Sequence, residues 1–324
     1  MRSTRSGKPV TEWAETVRRG AACFVSLAAV IAAILVPSGS VRGSGSVYLS
    51  TTQEVADAIR RSPSAVVASY VLSLHTRVAQ ALAAAGKAGG NEVLVLDSNP
   101  YDPTGNGEIK AADAVTRSAL HAAHVRVLDS SKDLHLKAAL VGNRVVYLCD
   151  RNFDDHDSLI IASTDLDDYN AVVMAIRGQM DGSDHLRVRK ADALAMEASM
   201  IGQGSGPMSF ESESFGNRNP VYDALLARAQ HGDNVRIILA RREYVSTPRE
   251  RAAVRELQSA GAKVHIGSTN EKIYVDSGQA WLGSANATAG VPDQTDWGYG
   301  TTDPTIHNSL QAQFSANFQA ATPL

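Results

Sequence analysis

Short apolar runs alternate with longer amphipathic or alanine-rich stretches along most of the chain. Runs of about four to eight apolar residues predict strands, and longer segments with helical periodicity predict helices. In the first half, strands are expected at 65–72, 92–96, 125–128, around 135, at 144–148 and at 159–162, and helices at 75–88, 108–123, 169–177 and 191–201. Strands that alternate with helices indicate an α/β fold with a largely parallel sheet.

The same order of elements returns after the turn-rich segment 202–207, GQGSGP. Strands are expected at 208–213, 235–239, 263–266, around 272 and around 281, and helices at 221–230, 250–260 and 306–321. A repeat of this length indicates a duplicated domain rather than a solenoid. We therefore predict two similar lobes, residues 47–201 and 202–324, that build one site between them.

The first 46 residues differ in composition from the rest of the chain. Basic residues are frequent in 1–20, an apolar run covers 21–36, and PSGSVRGSGS follows at 37–46. A basic region, a short apolar region and small residues are typical of a secretory signal, and an uncleaved anchor is the competing interpretation. We interpret residues 1–46 as a signal peptide or anchor plus a flexible linker. The protein is expected to be secreted or periplasmic, or else membrane-anchored with an extracytoplasmic domain.

Bulk charge and cysteine content narrow the function classes. The formal net charge of −3 gives no signature of binding to a polyanion. Two cysteines in 324 residues argue against a disulfide framework. A hydrophobic content of 44% and a charged content of 20% describe an ordinary globular protein, so the functional argument depends on specific residues.

A pattern of polar residues occurs once in each half of the chain. His135 and Lys137 are spaced i, i+2, which places them on one face of a strand, and Asn152 follows about fifteen residues after the lysine. In the second half, Asn270 and Lys272 have the same spacing, and Gly-Ser-Ala-Asn follows at 283–286. A hairpin can return each later asparagine to the side of its lysine. The pair of patterns predicts one site made from two half-sites.

In these residues the chain resembles the phospholipase D superfamily, whose motif combines H-x-K, a following aspartate and G-S-x-N in each lobe. The resemblance covers nearly all of residues 60–324, and it is most specific at 271–288. It implies duplicated phospholipase D-like lobes, each a mixed, largely parallel sheet flanked by helices, with the active site at the lobe interface.

The resemblance also implies phosphodiester cleavage through a phosphohistidine. A histidine can attack phosphorus to form a covalent intermediate, and a second histidine can move the required protons. Lysines and asparagines would stabilise the charge on the phosphate oxygens, so neither a metal nor another cofactor is expected. By this analogy the catalytic groups are His135, Lys137, Lys272 and Asn270, which stands at the position of the second histidine. The substrate-binding groups are Asn152, Asn286 and Ser284. The supporting acids are Asp157, Asp276 and Asp296.

The sequence departs from the family pattern at three places. Gly142 stands where the family has aspartate in the first lobe, and Cys149-Asp150 replaces Gly-Ser. The third departure is Asn270, because asparagine has no group that titrates near neutral pH and cannot act as a proton donor. Asn270 is either native to a degenerate second lobe or a deliberate His→Asn replacement. The intact remainder of the motif favours the replacement.

The sequence favours a phospholipase D-like hydrolase that acts on phospholipid, impaired by Asn270. A metal-independent endonuclease of the same superfamily and a catalytically dead phosphodiester-binding protein remain as alternatives. The expected partner is a phosphodiester substrate, with a membrane surface as an open question and no obligate protein partner evident.

Overall fold

The computed structural model describes residues 45–324 apart from 102–104, 106, 131–132, 155–157, 217–218, 242–243, 245–246 and 269–270. Within these residues it has eight helices and fifteen strands, arranged in two mixed sheets with helices packed on them. No helix among the described residues is long and apolar enough to cross a membrane. The predicted signal or anchor in residues 1–44 lies outside the described chain.

The first repeat runs from residue 47 to residue 176. Its elements are β1 (Val47–Ser50), α1 (Thr52–Arg61), β2 (Ser64–Ser69), α2 (Arg77–Lys87), β3 (Asn91–Leu96), α3 (Glu108–Ala122), β4 (Arg126–Asp129), β5 (Ala138–Val141), β6 (Val145–Cys149), β7 (Ile160–Ser163) and α4 (Leu166–Ile176).

The second repeat runs from residue 186 to residue 320, and a short strand follows it. Its elements are β8 (Leu186–Arg187), α5 (Lys190–Gln203), β9 (Met208–Ser212), α6 (Pro220–Gln230), β10 (Val235–Ala240), α7 (Pro248–Ser259), β11 (Lys263–Gly267), β12 (Ile273–Val275), β13 (Ala280–Gly283), β14 (Gly298–Thr301) and α8 (Pro304–Ala320), with β15 (Thr322–Pro323) after it.

The two sheets have the same strand order. The first is β1-β7-β6-β5-β2-β3-β4, and the second is β8-β14-β13-β12-β9-β10-β11 with β15 added beside β11. Helices follow corresponding strands in both, so the duplication predicted from the sequence is present element by element. Each sheet also has its own cluster of buried apolar side chains.

The repeat suggests a different lobe boundary from the one predicted. The turn-rich segment 202–207 separates α5 from β9, and both belong to the second repeat, because β8 pairs with β14 and α5 packs against α6 and β14. Glycines and prolines mark a turn without saying whether the turn joins two domains or two elements of one domain. We propose a boundary within residues 177–185 in place of 201/202.

The sheets are mixed, but the expectation of largely parallel pairing was wrong. In the first sheet only β2–β3 and β3–β4 are parallel, and in the second only β9–β10 and β10–β11 are. The other pairs are antiparallel, and two of them, β5–β6 and β12–β13, are hairpins joined by short turns. Parallel neighbours need a long crossover connection, which the chain provides only where a helix intervenes.

Local sequence signals set the helix ends. Thr51 and Glu54 form a capping box at the start of α1, with each side chain bonded to the other's backbone N–H. Asn219 and Asp303 accept backbone N–H groups at the starts of α6 and α8, and each is followed by proline, which is favoured at the first helical position.

A pair of glycines makes room for the largest buried side chain of the second lobe. Gly283 on β13 faces Gly298 on β14, and the fully buried Trp281 ring lies over both. A Cβ at Gly298 would lie 2.6 Å from Nε1 of Trp281, which is inside van der Waals contact. The absence of side chains at these two positions is therefore a packing requirement.

Gly298→Ala is expected to lower the free energy of unfolding by about 1–3 kcal/mol, because the new methyl group must displace the Trp281 ring. Gly290→Ala is the matched control, since a Cβ there meets no atom within 4 Å. It should change stability by less than about 0.5 kcal/mol. Urea denaturation midpoints measure both, and equal midpoints for the two variants would contradict this packing argument.

Candidate active site

The two lobes meet along the segment that carries His135. Residues 135–137 are not part of a strand, as the sequence suggested, but form an extended approach to β5. The His135 backbone N–H donates to the Thr295 carbonyl at 2.9 Å, and the Thr295 N–H donates to the Asp133 carbonyl at 2.9 Å. Across the same junction, Nε1 of Trp297 donates to the Cys149 carbonyl at 2.9 Å. Backbone from the second lobe therefore fixes the position of the first-lobe histidine.

Asp296 of the second lobe orients the His135 ring. Its Oδ1 lies 3.0 Å from Nδ1 of His135, and the aspartate is almost completely buried. A carboxylate only accepts hydrogen bonds, so this contact selects the tautomer with the proton on Nδ1. Nε2 then keeps its lone pair, which is the requirement for a nucleophilic imidazole.

The surroundings keep His135 neutral. Burial lowers the pKa of His135, the charges of Lys137 and Lys272 lower it further, and Asp296 opposes them. Burial by itself raises the pKa of Asp296, but the contact with His135 and the charge of Lys137 hold that pKa below its ordinary value. The result is a neutral imidazole beside an ionised aspartate.

The two motif lysines are buried in the same region. Lys137 is 2% exposed, and burial followed by the charge of Lys272 lowers its pKa to about 7. Its Nζ lies 5.9 Å from the centre of the Tyr70 ring, which also packs edge-on against His135. Nζ of Lys272 lies 2.9 Å from Oε2 of Glu213. Buried cations of this kind favour an anion in the space that they surround.

The two motif asparagines have equivalent surroundings. Oδ1 of Asn152 lies 3.5 Å from the backbone N of Val71, and Oδ1 of Asn286 accepts from the N–H of Ser214 at 3.2 Å. Each donor lies two residues beyond the last residue of a corresponding strand, β2 or β9. With Oδ1 held by backbone, each amide NH₂ is left as the donor group for a ligand.

Ser284 and Asp276 occupy different places. The Ser284 hydroxyl donates to Oδ1 of Asp296 and accepts from the Trp297 N–H at 3.1 Å, so it supports the aspartate that holds His135. Asp276 instead accepts from the backbone of Gly278 and Gln279 at 3.0 and 3.1 Å, which closes the turn between β12 and β13. It also follows Lys272 one residue sooner than the motif spacing requires.

Comparison with known proteins addresses the fold. No family model matches the sequence, and no curated protein matches it. The structure is similar to a polyphosphate kinase from Porphyromonas gingivalis, with a TM-score of 0.60 and 12% identity over 90% of this chain and 52% of that one. It is also similar to a phosphatidylserine synthase from Haemophilus influenzae Rd KW20, with a TM-score of 0.60 and 9% identity over 86% and 87%.

The chain shares the fold of these two proteins. The α/β fold of two similar lobes predicted from the sequence is thus confirmed. The chain spans about half the length of the polyphosphate kinase, and identities this low establish no activity.

Backbone pairing defines which residues of the two phospholipase D-like lobes correspond. The N–H groups of Cys149 and Gly283 donate to the carbonyls of Lys137 and Lys272, respectively. The N–H of Asp150 donates to the Leu159 carbonyl, as that of Ser284 does to Trp297. By this alignment Ser158 corresponds to Asp296.

Two predicted site residues cannot be placed. Asn270 and Asp157 both lie outside the described residues, so their roles stay predictions. Within the described parts of the chain, no group of three or more His, Cys, Asp or Glu side chains is arranged to hold a metal ion. Independence of a metal also stays a prediction.

Sequence reasoning missed Tyr70 and Glu213. Each directly follows a corresponding strand, β2 or β9, and each contacts a motif lysine. Their one available signal was position, since polar residues at the ends of inner strands often line sites in α/β folds. Burial alone raises the pKa of Glu213, but Lys272, Lys137 and His135 together outweigh it and lower the pKa to about 2.

Replacing the charged neighbours of His135 should move its pKa in opposite directions. Lys137→Met removes a positive charge and is expected to raise that pKa, whereas Asp296→Asn removes the opposing carboxylate and is expected to lower it. NMR titration of the ring nitrogens measures both shifts. Asp303→Asn, at the start of α8, is the control and should leave His135 unchanged; shifts of the same sign in the first two variants would refute this description of the site.

Proposed function

We propose that this protein is a phosphodiesterase of the phospholipase D type that works through a phosphohistidine at residue 135. The observation that carries the proposal is the 3.0 Å contact between Nδ1 of His135 and the buried Asp296, next to two buried lysines. A nucleophile oriented by a carboxylate, together with cations for the phosphate oxygens, is the arrangement required for covalent phosphoryl transfer.

This geometry supports the following step for each group. Nε2 of His135 attacks phosphorus, while Asp296 keeps the proton on Nδ1 and stabilises the positive charge that develops on the ring. Lys137 and Lys272 neutralise charge on the phosphate oxygens, and the amides of Asn152 and Asn286 donate to them. Water then attacks the phosphohistidine and releases the product.

Phospholipid is the proposed substrate class. The Tyr70 ring beside His135 is bonded through its hydroxyl to the backbone of Tyr101, and Tyr101 exposes 75% of its surface. An exposed aromatic side chain next to the site suits contact with a lipid surface. Acidic Glu213 at the lysines and the net charge of −3 favour lipid over a nucleic-acid strand. The basic and apolar N-terminal residues support a secreted or periplasmic location, which remains part of the proposal.

Turnover is expected to be slower than with a histidine at residue 270, because Asn270 supplies no proton there. Asn270→His should raise the hydrolysis of phosphatidylcholine by about 10²-fold, the low end of the usual contribution of a general acid. The low end is expected because Ser158, which is not an acid, aligns with Asp296 in the backbone pairing.

The assay compares phosphatidylcholine vesicles with plasmid DNA, both with chelator present. Release of choline without nicking of DNA supports the proposal, and His135→Ala should abolish it. Nicking of DNA in preference to lipid would favour the endonuclease alternative. A requirement for a divalent metal would refute the phosphohistidine mechanism, and binding without cleavage even in Asn270→His would favour a phosphodiester-binding protein.

A further inference from the structure

The position of the family's second histidine is occupied by Asn270 in this chain. In the family that the sequence resembles, a histidine at the position of Asn270 would be oriented by an acidic residue from the first lobe. Here residue 270 is asparagine, and backbone pairing places Ser158 where the second lobe has Asp296.

A different ionisable group faces the same lysines. Glu213 directly follows β9, where Tyr70 directly follows β2 in the first lobe. Its Oε2 lies 2.9 Å from Nζ of Lys272, and its side chain is 36% exposed while that of the lysine is 3% exposed. The carboxyl thus borders both the buried Lys272 and solvent, so it can exchange protons with solvent while it contacts the lysine.

We propose that Glu213 is the proton-transfer residue of this enzyme, a role that the family gives to its second histidine. The inference rests on the proposed phosphodiesterase function. It assigns to this one carboxyl both the protonation of the leaving group and the activation of water.

Glu213 gives and takes up the protons that each step of the cycle requires. When substrate binds, the carboxylate takes up one proton from solvent. Nε2 of His135 attacks phosphorus, the P–O bond to the leaving group breaks, and the leaving oxygen takes the proton from Glu213. Water then attacks phosphorus and gives its proton to the Glu213 carboxylate. The P–N bond breaks, its electron pair returns to Nε2, and the carboxyl is again protonated.

The charges around Glu213 explain how one group can serve in both steps. Without substrate, Lys272, Lys137 and His135 keep the carboxylate ionised and lower its pKa to about 2 despite burial. A bound phosphate group brings negative charge to the same lysines, so it offsets their effect and raises the pKa of Glu213. Proton uptake is thereby coupled to substrate binding.

Burst kinetics with a p-nitrophenyl phosphodiester test this role. Nitrophenolate leaves without help from an acid, so formation of the phosphohistidine should survive Glu213→Gln, whereas its hydrolysis needs a base. The unmodified chain should give one equivalent of nitrophenol per enzyme followed by slow turnover. Glu213→Gln should keep the burst rate within about threefold and lower the subsequent turnover by about 10²-fold or more. Adding Asn270→His to Glu213→Gln should raise the turnover of the single variant at least about tenfold, because the new histidine would transfer the same protons as the Glu213 carboxyl.

The controls separate the possible outcomes. Glu256→Gln, on an exposed face of α7, should leave both phases unchanged. If Glu213 only positions Lys272, Glu213→Gln will slow the burst itself, and the inference fails. Unchanged turnover in Glu213→Gln also overturns it while leaving the phosphodiesterase function intact. If the unmodified chain shows no burst that depends on His135, the proposed function fails, and the role of Glu213 fails with it.

Discussion

The contact between His135 and Asp296 is the interaction on which the site depends. It joins the proposed nucleophile from one lobe to a buried carboxylate from the other, 3.0 Å apart. An isolated carboxylate at 1% exposure would be costly, so the aspartate requires the imidazole and Lys137 nearby. The imidazole, in turn, requires the aspartate for its tautomer. The pairing of Leu134 with Thr295 and the bond from Trp297 to Cys149 keep the two partners in register.

Duplication explains the residues that the two half-sites share, and divergence between the lobes explains the residues that differ. Corresponding strands present a lysine and an asparagine from each lobe, and even the backbone contacts of the asparagines repeat. Among the positions that differ between the lobes, three bear on the proposed chemistry: His135 and Asn270, Tyr70 and Glu213, and Asp296 and Ser158. The first lobe has the proposed nucleophile, and the second lobe has the carboxylate that contacts it. A further carboxylate, Glu213, lies beside the second lysine.

The sequence was sufficient for the fold and for much of the site. Alternation of apolar and amphipathic segments predicted the inner strands and most helices, and the paired motifs identified His135, both lysines and both asparagines. The short elements β1, β8 and β14 were missed because two to four residues carry too little pattern. Without β8, the sequence also offered no reason to begin the second repeat before residue 202. Glu213 and Tyr70 were missed because their role comes from tertiary contact with lysines far away in sequence. The partner of Asp296 could not be assigned, because residues of different lobes meet only in the folded chain.

The claim central to this account is that His135 forms the covalent intermediate. The most direct measurement is to incubate the protein with a p-nitrophenyl phosphodiester, quench with base, and locate the phosphoryl group by peptide mass spectrometry. The account predicts one acid-labile, base-stable adduct on the peptide that contains His135, absent from His135→Ala and reduced in Asp296→Asn. An adduct on another residue, or nitrophenol release with no adduct at any time point, would contradict it.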